Sequence, residues 1–134
     1  MLSLVLMVKD CATSRDFYTG LGFGEVGPTL PGPDGELIFS AVARDGVTIL
    51  LDGAEPETAA SHDRGKGIAL QLLLPYNADI DGLYDRLKLA DVPITVEAVD
   101  RHGGERMFAI TDPDGYCITI ARKVFAAGNN PSAA

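Results

Sequence analysis

The sequence predicts an α+β fold built from two βαβββ modules in tandem. Three observations carry the prediction. Each half opens on a continuous apolar run, Leu2–Val8 and Gly67–Leu74, followed by a stretch of helical spacing. Each half closes on a hairpin, marked by Asp45-Gly46 in the first and by Asp112-Pro113-Asp114-Gly115 in the second. One shift along the chain superposes the two hairpins, placing Asp45-Gly46 on Asp114-Gly115, Phe39 on Phe108 and Leu50 on Thr119.

Taken in order, Leu2–Val8 is a central strand. Asp10 is placed to cap a helix that starts at Cys11 or Ala12, with Phe17, Tyr18 and Leu21 at its apolar end and Arg15 and Asp16 toward water. Gly20 and Gly22 end that helix, and Phe23–Val26 is a short strand. Gly27–Gly35 holds three prolines and three glycines in nine residues, which predicts a loop. Glu36–Ala43 and Val47–Leu51 are strands joined through Arg44-Asp45-Gly46. Asp52–Lys66 has no apolar period and is expected to link the modules. In the second half, Asn77 or Asp79 starts a helix whose Ile80, Leu83, Tyr84 and Leu87 share one face. Pro93 follows its end, Ile94–Val99 alternates like a strand, and Arg101–Gly104 is a loop. Arg106–Thr111 and Tyr116–Arg122 make the last hairpin. The expected plan is one domain over residues 1–124, with module one at 1–52, a linker at 53–66, module two at 67–124, and a tail at 125–134.

The 134 residues suffice for one hydrophobic core, and 46% of them are apolar. There is no Trp, so the core must be made mainly of Leu, Ile, Val and Ala. A formal charge of −8 repels phosphates and anionic lipid, which argues against nucleic acid and membrane partners. The same sign suits a cationic guest, although acidity also serves solubility alone. Cys11 and Cys117 are the only cysteines and fit no zinc or redox spacing, so free thiols in the cytoplasm are expected. The apolar start is too short to span a membrane and lacks a signal peptide's basic end.

Three stretches carry a resemblance. They are Val8-Lys9-Asp10 with Ser14, Phe17-Tyr18 and Leu21-Gly22-Phe23; Gly104-x-Arg106-x-Phe108; and Thr111-Asp112-Pro113-Asp114-Gly115-Tyr116. With them the chain resembles the vicinal-oxygen-chelate superfamily of glyoxalases, bleomycin-resistance proteins and extradiol dioxygenases, nearest the bleomycin-resistance branch. The resemblance implies curled mixed sheets that form a cup, and a homodimer. It also implies metal ligands at four positions, which fall here on Ser3, Leu50, Gly67 and Thr119. Divalent ions want imidazole or carboxylate, and none of the four supplies either. No metal and no cofactor is therefore expected. His62, His102, Glu36, Asp52 and Glu105 are the other groups a metal could use, but two lone histidines make no metal motif.

Strand alternation gives the expected lining of the cup. Pairing Ile110 with Cys117 and Phe108 with Thr119 puts Arg106, Phe108 and Thr119 on one face. Phe39, Ala41, Thr48 and Leu50 line the other half, with Ser3, Val5 and Met7 from the first strand and Gly67, Ala69 and Gln71 from its counterpart. The candidate ligand-binding residues are Phe39, Thr48, Leu50, Gln71, His102, Arg106, Phe108 and Thr119. Each has a plainer alternative. Phe39 and Phe108 equally suit core packing, Arg106 an ion pair, and His102 a surface loop. Cys117 reads as a small apolar filler, and Asp112 and Asp114 as turn formers. No catalytic residue is assigned. The expected function is metal-free binding of a small organic molecule, as in drug sequestration. The competing expectations are a metal-dependent lyase, isomerase or dioxygenase with a relocated site, and a non-catalytic regulatory or partner-binding module.

Overall fold

The computed structural model describes residues 3–54, 67–101 and 104–122. The chain divides into two compact units, Met1–Arg64 and Gly65–Ala134. His62, His102, the tail and the expected linker beyond Ala54 lie outside the described residues.

The first unit runs β1 (Leu4–Met7), α1 (Cys11–Gly20), β2 (Gly24–Pro31), β3 (Leu37–Arg44) and β4 (Val47–Asp52). Its sheet has the order β1-β4-β3-β2, with β1 parallel to β4 and the other pairs antiparallel. As the sequence predicts, Asp10 caps α1, its carboxylate accepting from Ala12 N at 3.1 Å and Thr13 N at 3.3 Å. Cys11, Ser14 and Tyr18 form the buried stripe at helical spacing. The Tyr18 ring meets Phe17 at 5.2 Å and Phe23 at 5.7 Å, both edge-on, which fixes the helix to the strand that follows. Gly22, at φ +93°, makes the reversal between them, and a Cβ there would lie 2.5 Å from Arg44 Nη1. The helix side of this sheet is the unit's core, with Leu6, Val42, Ile49 and Leu51 buried.

Asp45 (φ 52°) and Gly46 (φ 82°) both take the left-handed conformation that a two-residue hairpin of the right twist requires. The stretch predicted as a loop departs from expectation, because β2 extends through Gly27 and Pro28 to Pro31. It is an edge strand exposed along its whole length, so the missing proline N–H groups leave no ladder partner unsatisfied. Register shifts between Val26 and Leu30, and again at Pro31, absorb the irregularity.

One buried group on this core side is unpaired. Among the described residues Ser40 Oγ has no hydrogen-bond partner, and Ser40 is fully buried. Ser40→Ala is expected to raise the unfolding free energy by about 1 kcal/mol, because it removes a desolvated hydroxyl at little cost in volume. Urea denaturation of the two proteins checks this.

The second unit runs β5 (Ala69–Leu74), α2 (Ile80–Leu89), β6 (Ile94–Arg101), β7 (Glu105–Thr111) and β8 (Cys117–Arg122). Its order β5-β8-β7-β6, with β5 parallel to β8, repeats the topology of the first. Asp79 caps α2 by accepting from Gly82 N at 3.0 Å. Ile80, Leu83 and Leu87 are buried on the helix, as their spacing predicts. The sheet residues turned toward α2 are Phe108, Ile110, Ile118 and Ile120, all buried. Tyr84 meets Phe108 edge-on at 5.2 Å.

The register of the last hairpin corrects the sequence reading. Phe108 pairs with Ile120, Ala109 with Thr119, Ile110 with Ile118 and Thr111 with Cys117. The turn from Asp112 to Tyr116 is longer than the Asp45-Gly46 turn, so a single shift cannot superpose both strands of the two hairpins. A slip of one residue moves a side chain to the opposite face. Phe108 and Arg106 therefore lie on the α2 side, while Thr119 lies on the other.

Candidate functional site

In each unit one sheet face packs on its helix, and the other, the open face, is turned away from that helix. Cross-strand neighbours on an open face lie side by side, close enough to act on one ligand. In the first unit Val5, Leu50, Ala41 and Val26 form one row across the four strands. Met7, Asp52, Phe39 and Leu30 form the next. Thr48 pairs with Ala43 beyond the first row. The structure thus brings Phe39, Thr48 and Leu50 together on one half-buried, mostly apolar face, and it exposes Val5 and Leu30 beside them.

The corresponding rows in the second unit are Gln71, Thr119, Ala109 and Val96, then Leu73, Ala121, Met107 and Val99. Gln71 is exposed and Thr119 half-buried, so their amide and hydroxyl form a polar pair on this face. Met107, Ala109 and Ala121 form a small buried cluster beside them.

Two of the expected ligand residues are elsewhere. Phe108 is fully buried against α2. Arg106 is held in ion pairs, Nε to Asp81 at 2.8 Å and Nη1 to Asp100 at 3.0 Å. The hydrogen bonds to Asp81 and then Asp100 hold its proton more tightly than usual. The plainer alternatives for both residues, core packing and an ion pair, are what the structure contains. Asp52 was missed as a member of the open face. Continuing the alternation Thr48, Leu50 by one more step would have found it.

The four positions that the resemblance assigns to metal ligands carry side chains that do not suit a metal. Ser3 is exposed ahead of β1, and Leu50 and Thr119 occupy matching places on the two open faces. Gly67, at φ +78°, precedes β5 and has no side chain to offer. Two hydroxyls, an alkyl group and a hydrogen are no donor set for a divalent transition ion. Among the described residues no three His, Cys, Asp or Glu side chains come together in a metal-binding group. Glu36 accepts from Asp34 N at 2.9 Å, and Glu105 is paired with Arg101 at 2.6 Å.

A separate cleft of about 590 Å³ lies where α1 begins beside the β2–β3 turn, lined in part by Asp10, Cys11, Glu36 and Ile38. Its carboxylates are committed to the α1 cap and to Asp34 N. Cys11, at its base, is 1% exposed and faces the Leu51 carbonyl, 3.6 Å from its sulfur. Burial pushes its thiol from the ordinary 9.0 up to about 11, Arg15 opposing and Asp10, Asp52 and Glu25 adding to the rise. The folded state thus keeps a proton that the unfolded chain gives up near 9.0. The associated stability is present below that pH and is lost as pH climbs toward about 11. Between about pH 8 and 10.5 the wild type is expected to lose on the order of 2 kcal/mol more than Cys11→Ala does. Denaturation midpoints of both proteins at the two pH values measure it. Equal losses would show that the thiol is not buried.

Two βαβββ units, each with one helix-packed and one open sheet face, define a protein of the glyoxalase-like α+β fold. The profile of the Glyoxalase/Bleomycin resistance protein/Dioxygenase superfamily matches residues 1–120, and the chain belongs to that superfamily. An uncharacterised protein of Mycobacterium bovis is 28% identical over 130 residues, covering 92% of this chain and 83% of that one. A glyoxalase/dioxygenase from Nostoc punctiforme shares the fold at TM-score 0.71 and 24% identity, over 90% of this chain and 88% of that one. A fosfomycin resistance protein from Listeria monocytogenes does so at TM-score 0.70 and 15% identity, over 91% of each. No helix among the described residues is long and apolar enough to cross a membrane.

Proposed function

We propose that the chain binds and sequesters a small organic molecule on the open faces of its sheets, without a metal at the superfamily's ligand positions. The observation that carries this is the residue set Ser3, Leu50, Gly67 and Thr119 at those positions. Loss of the donors leaves an apolar surface that a ligand can still cover, with polar groups at a few places to orient it. Phe39, Leu50, Val5 and Met7 supply apolar area in the first unit, and Thr48 supplies a hydroxyl. Gln71 and Thr119 do the orienting in the second. Such a lining suits organic ligands in general. A second copy of the chain is the partner, supported by exposed Val26 and Leu30 on edge strand β2 and Val96 and Val99 on edge strand β6. A cytoplasmic location belongs to the same reading and is supported by the unpaired thiols of Cys11 and Cys117.

The test is elemental analysis of protein purified without chelator, run alongside titration with bleomycin and a panel of small aromatic compounds. Saturable binding without stoichiometric transition metal supports the proposal. Near-stoichiometric zinc, nickel, manganese or iron overturns it in favour of a metal-dependent lyase, isomerase or dioxygenase. Absence of both metal and binding overturns it in favour of a partner-binding module.

A further inference from the structure

The open face of the first unit carries a charged side chain in an otherwise apolar row. Asp52 lies between Met7 on β1 and Phe39 on β3, so a carboxylate is set in an apolar row. It is half-buried. One oxygen, Oδ1, accepts from Ala54 N at 3.0 Å in the turn that ends β4. The other oxygen has no partner among the described residues. Among the described residues the unit's two arginines are committed elsewhere, Arg15 to Asp16 and Glu25, and Arg44 to Asp45 and the Leu21 carbonyl. In the second unit the matching position in the register is Ala121, and Phe39 is matched by Met107. The same topology is thus built there without the carboxylate or the ring.

We propose that the open face of the first unit selects an organic cation, an amine or guanidine borne on an apolar body, with Asp52 as its counter-charge and Phe39 as the ring beside it. This rests on the reading that the face takes a small molecule, and it names the class. Covering this half-buried carboxylate with a neutral ligand strips its remaining water without return. A cationic ligand replaces that water with a charge-assisted hydrogen bond. The face of a phenyl ring attracts the same cation through its quadrupole, and direct cross-strand neighbours are close enough to share it. An anionic ligand meets repulsion from Asp52 and from a chain of net charge −8. The apolar body of the ligand covers Leu50 and Val5.

The test uses three probes of one shape, 2-naphthylmethylamine, 2-naphthylmethanol and 2-naphthoate, titrated calorimetrically at neutral pH into the full chain and into Asp52→Asn. Asparagine keeps an oxygen for Ala54 N, so the turn is preserved, and matching urea midpoints verify that. The amine is expected to bind about tenfold or more tighter than the alcohol, with the carboxylate weakest. In Asp52→Asn the amine's preference is expected to vanish while the alcohol's affinity holds. Phe39→Leu is expected to weaken the amine more than the alcohol. Equal binding of amine and alcohol, or a preference that survives Asp52→Asn, overturns the assignment and leaves small-molecule binding standing. Absence of saturable binding by all three probes overturns both.

Discussion

Phe108→Ala is expected to lower the unfolding free energy by about 3–5 kcal/mol, the largest loss from any single substitution considered for this chain. The ring is fully buried, packs edge-on against Tyr84, and sits among Ile110, Ile118 and Ile120 beneath α2. Truncation removes the ring's transfer free energy and leaves a cavity that strands on both sides hold open. A domain of this size is stable by only about 5–15 kcal/mol, so the loss will be plain in a urea or thermal midpoint. Phe108→Leu keeps most of the volume and is expected to cost about a third as much. A loss below about 1 kcal/mol in Phe108→Ala would place the ring on the open face and restore the pairing of Phe108 with Thr119.

Asp112→Ala is expected to cost about 3 kcal/mol, through a different mechanism. Asp112 is 4% exposed, and its Oδ1 accepts from Asp114 N at 2.9 Å and Tyr116 N at 2.8 Å. Asp112 N also donates to the Tyr116 carbonyl at 2.9 Å, so the residue closes the turn between β7 and β8 from both ends. Alanine leaves amide groups without an acceptor in a site that water reaches poorly, and each orphaned donor carries its desolvation cost. Asp112→Asn retains an acceptor oxygen and is expected to lose less than half as much. Chemical denaturation of the three proteins distinguishes the outcomes. Equal losses for Ala and Asn would assign the effect to charge rather than to closure of the turn.

Most of the fold was legible because its signals are local. An apolar run makes a strand, an aspartate ahead of helical spacing makes a cap, and Asp45-Gly46 makes a tight hairpin. These depend on neighbours within a few residues, where the sequence is a direct record of the geometry. The run of prolines and glycines misled because its composition says only that the backbone is irregular. Whether it pairs depends on a free sheet edge, and β2 is that edge. The site was half legible. Phe39, Thr48 and Leu50 fell on the open face because a two-residue turn leaves no choice of register. Phe108 and Arg106 were put on the wrong face because the longer second turn does leave one.

The sequence by itself determined the two βαβββ modules, their helix caps and hairpins, and the lack of metal-ligating side chains at Ser3, Leu50, Gly67 and Thr119. Those depend on residue identity and short spacing, which no packing can alter. Only the tertiary structure decided which face each strand residue occupies, and so placed Phe108 in the core, Arg106 between Asp81 and Asp100, and Asp52 beside Phe39. Side chains alternate along a strand, so one residue of register, set by pairing between distant segments, reverses every such assignment.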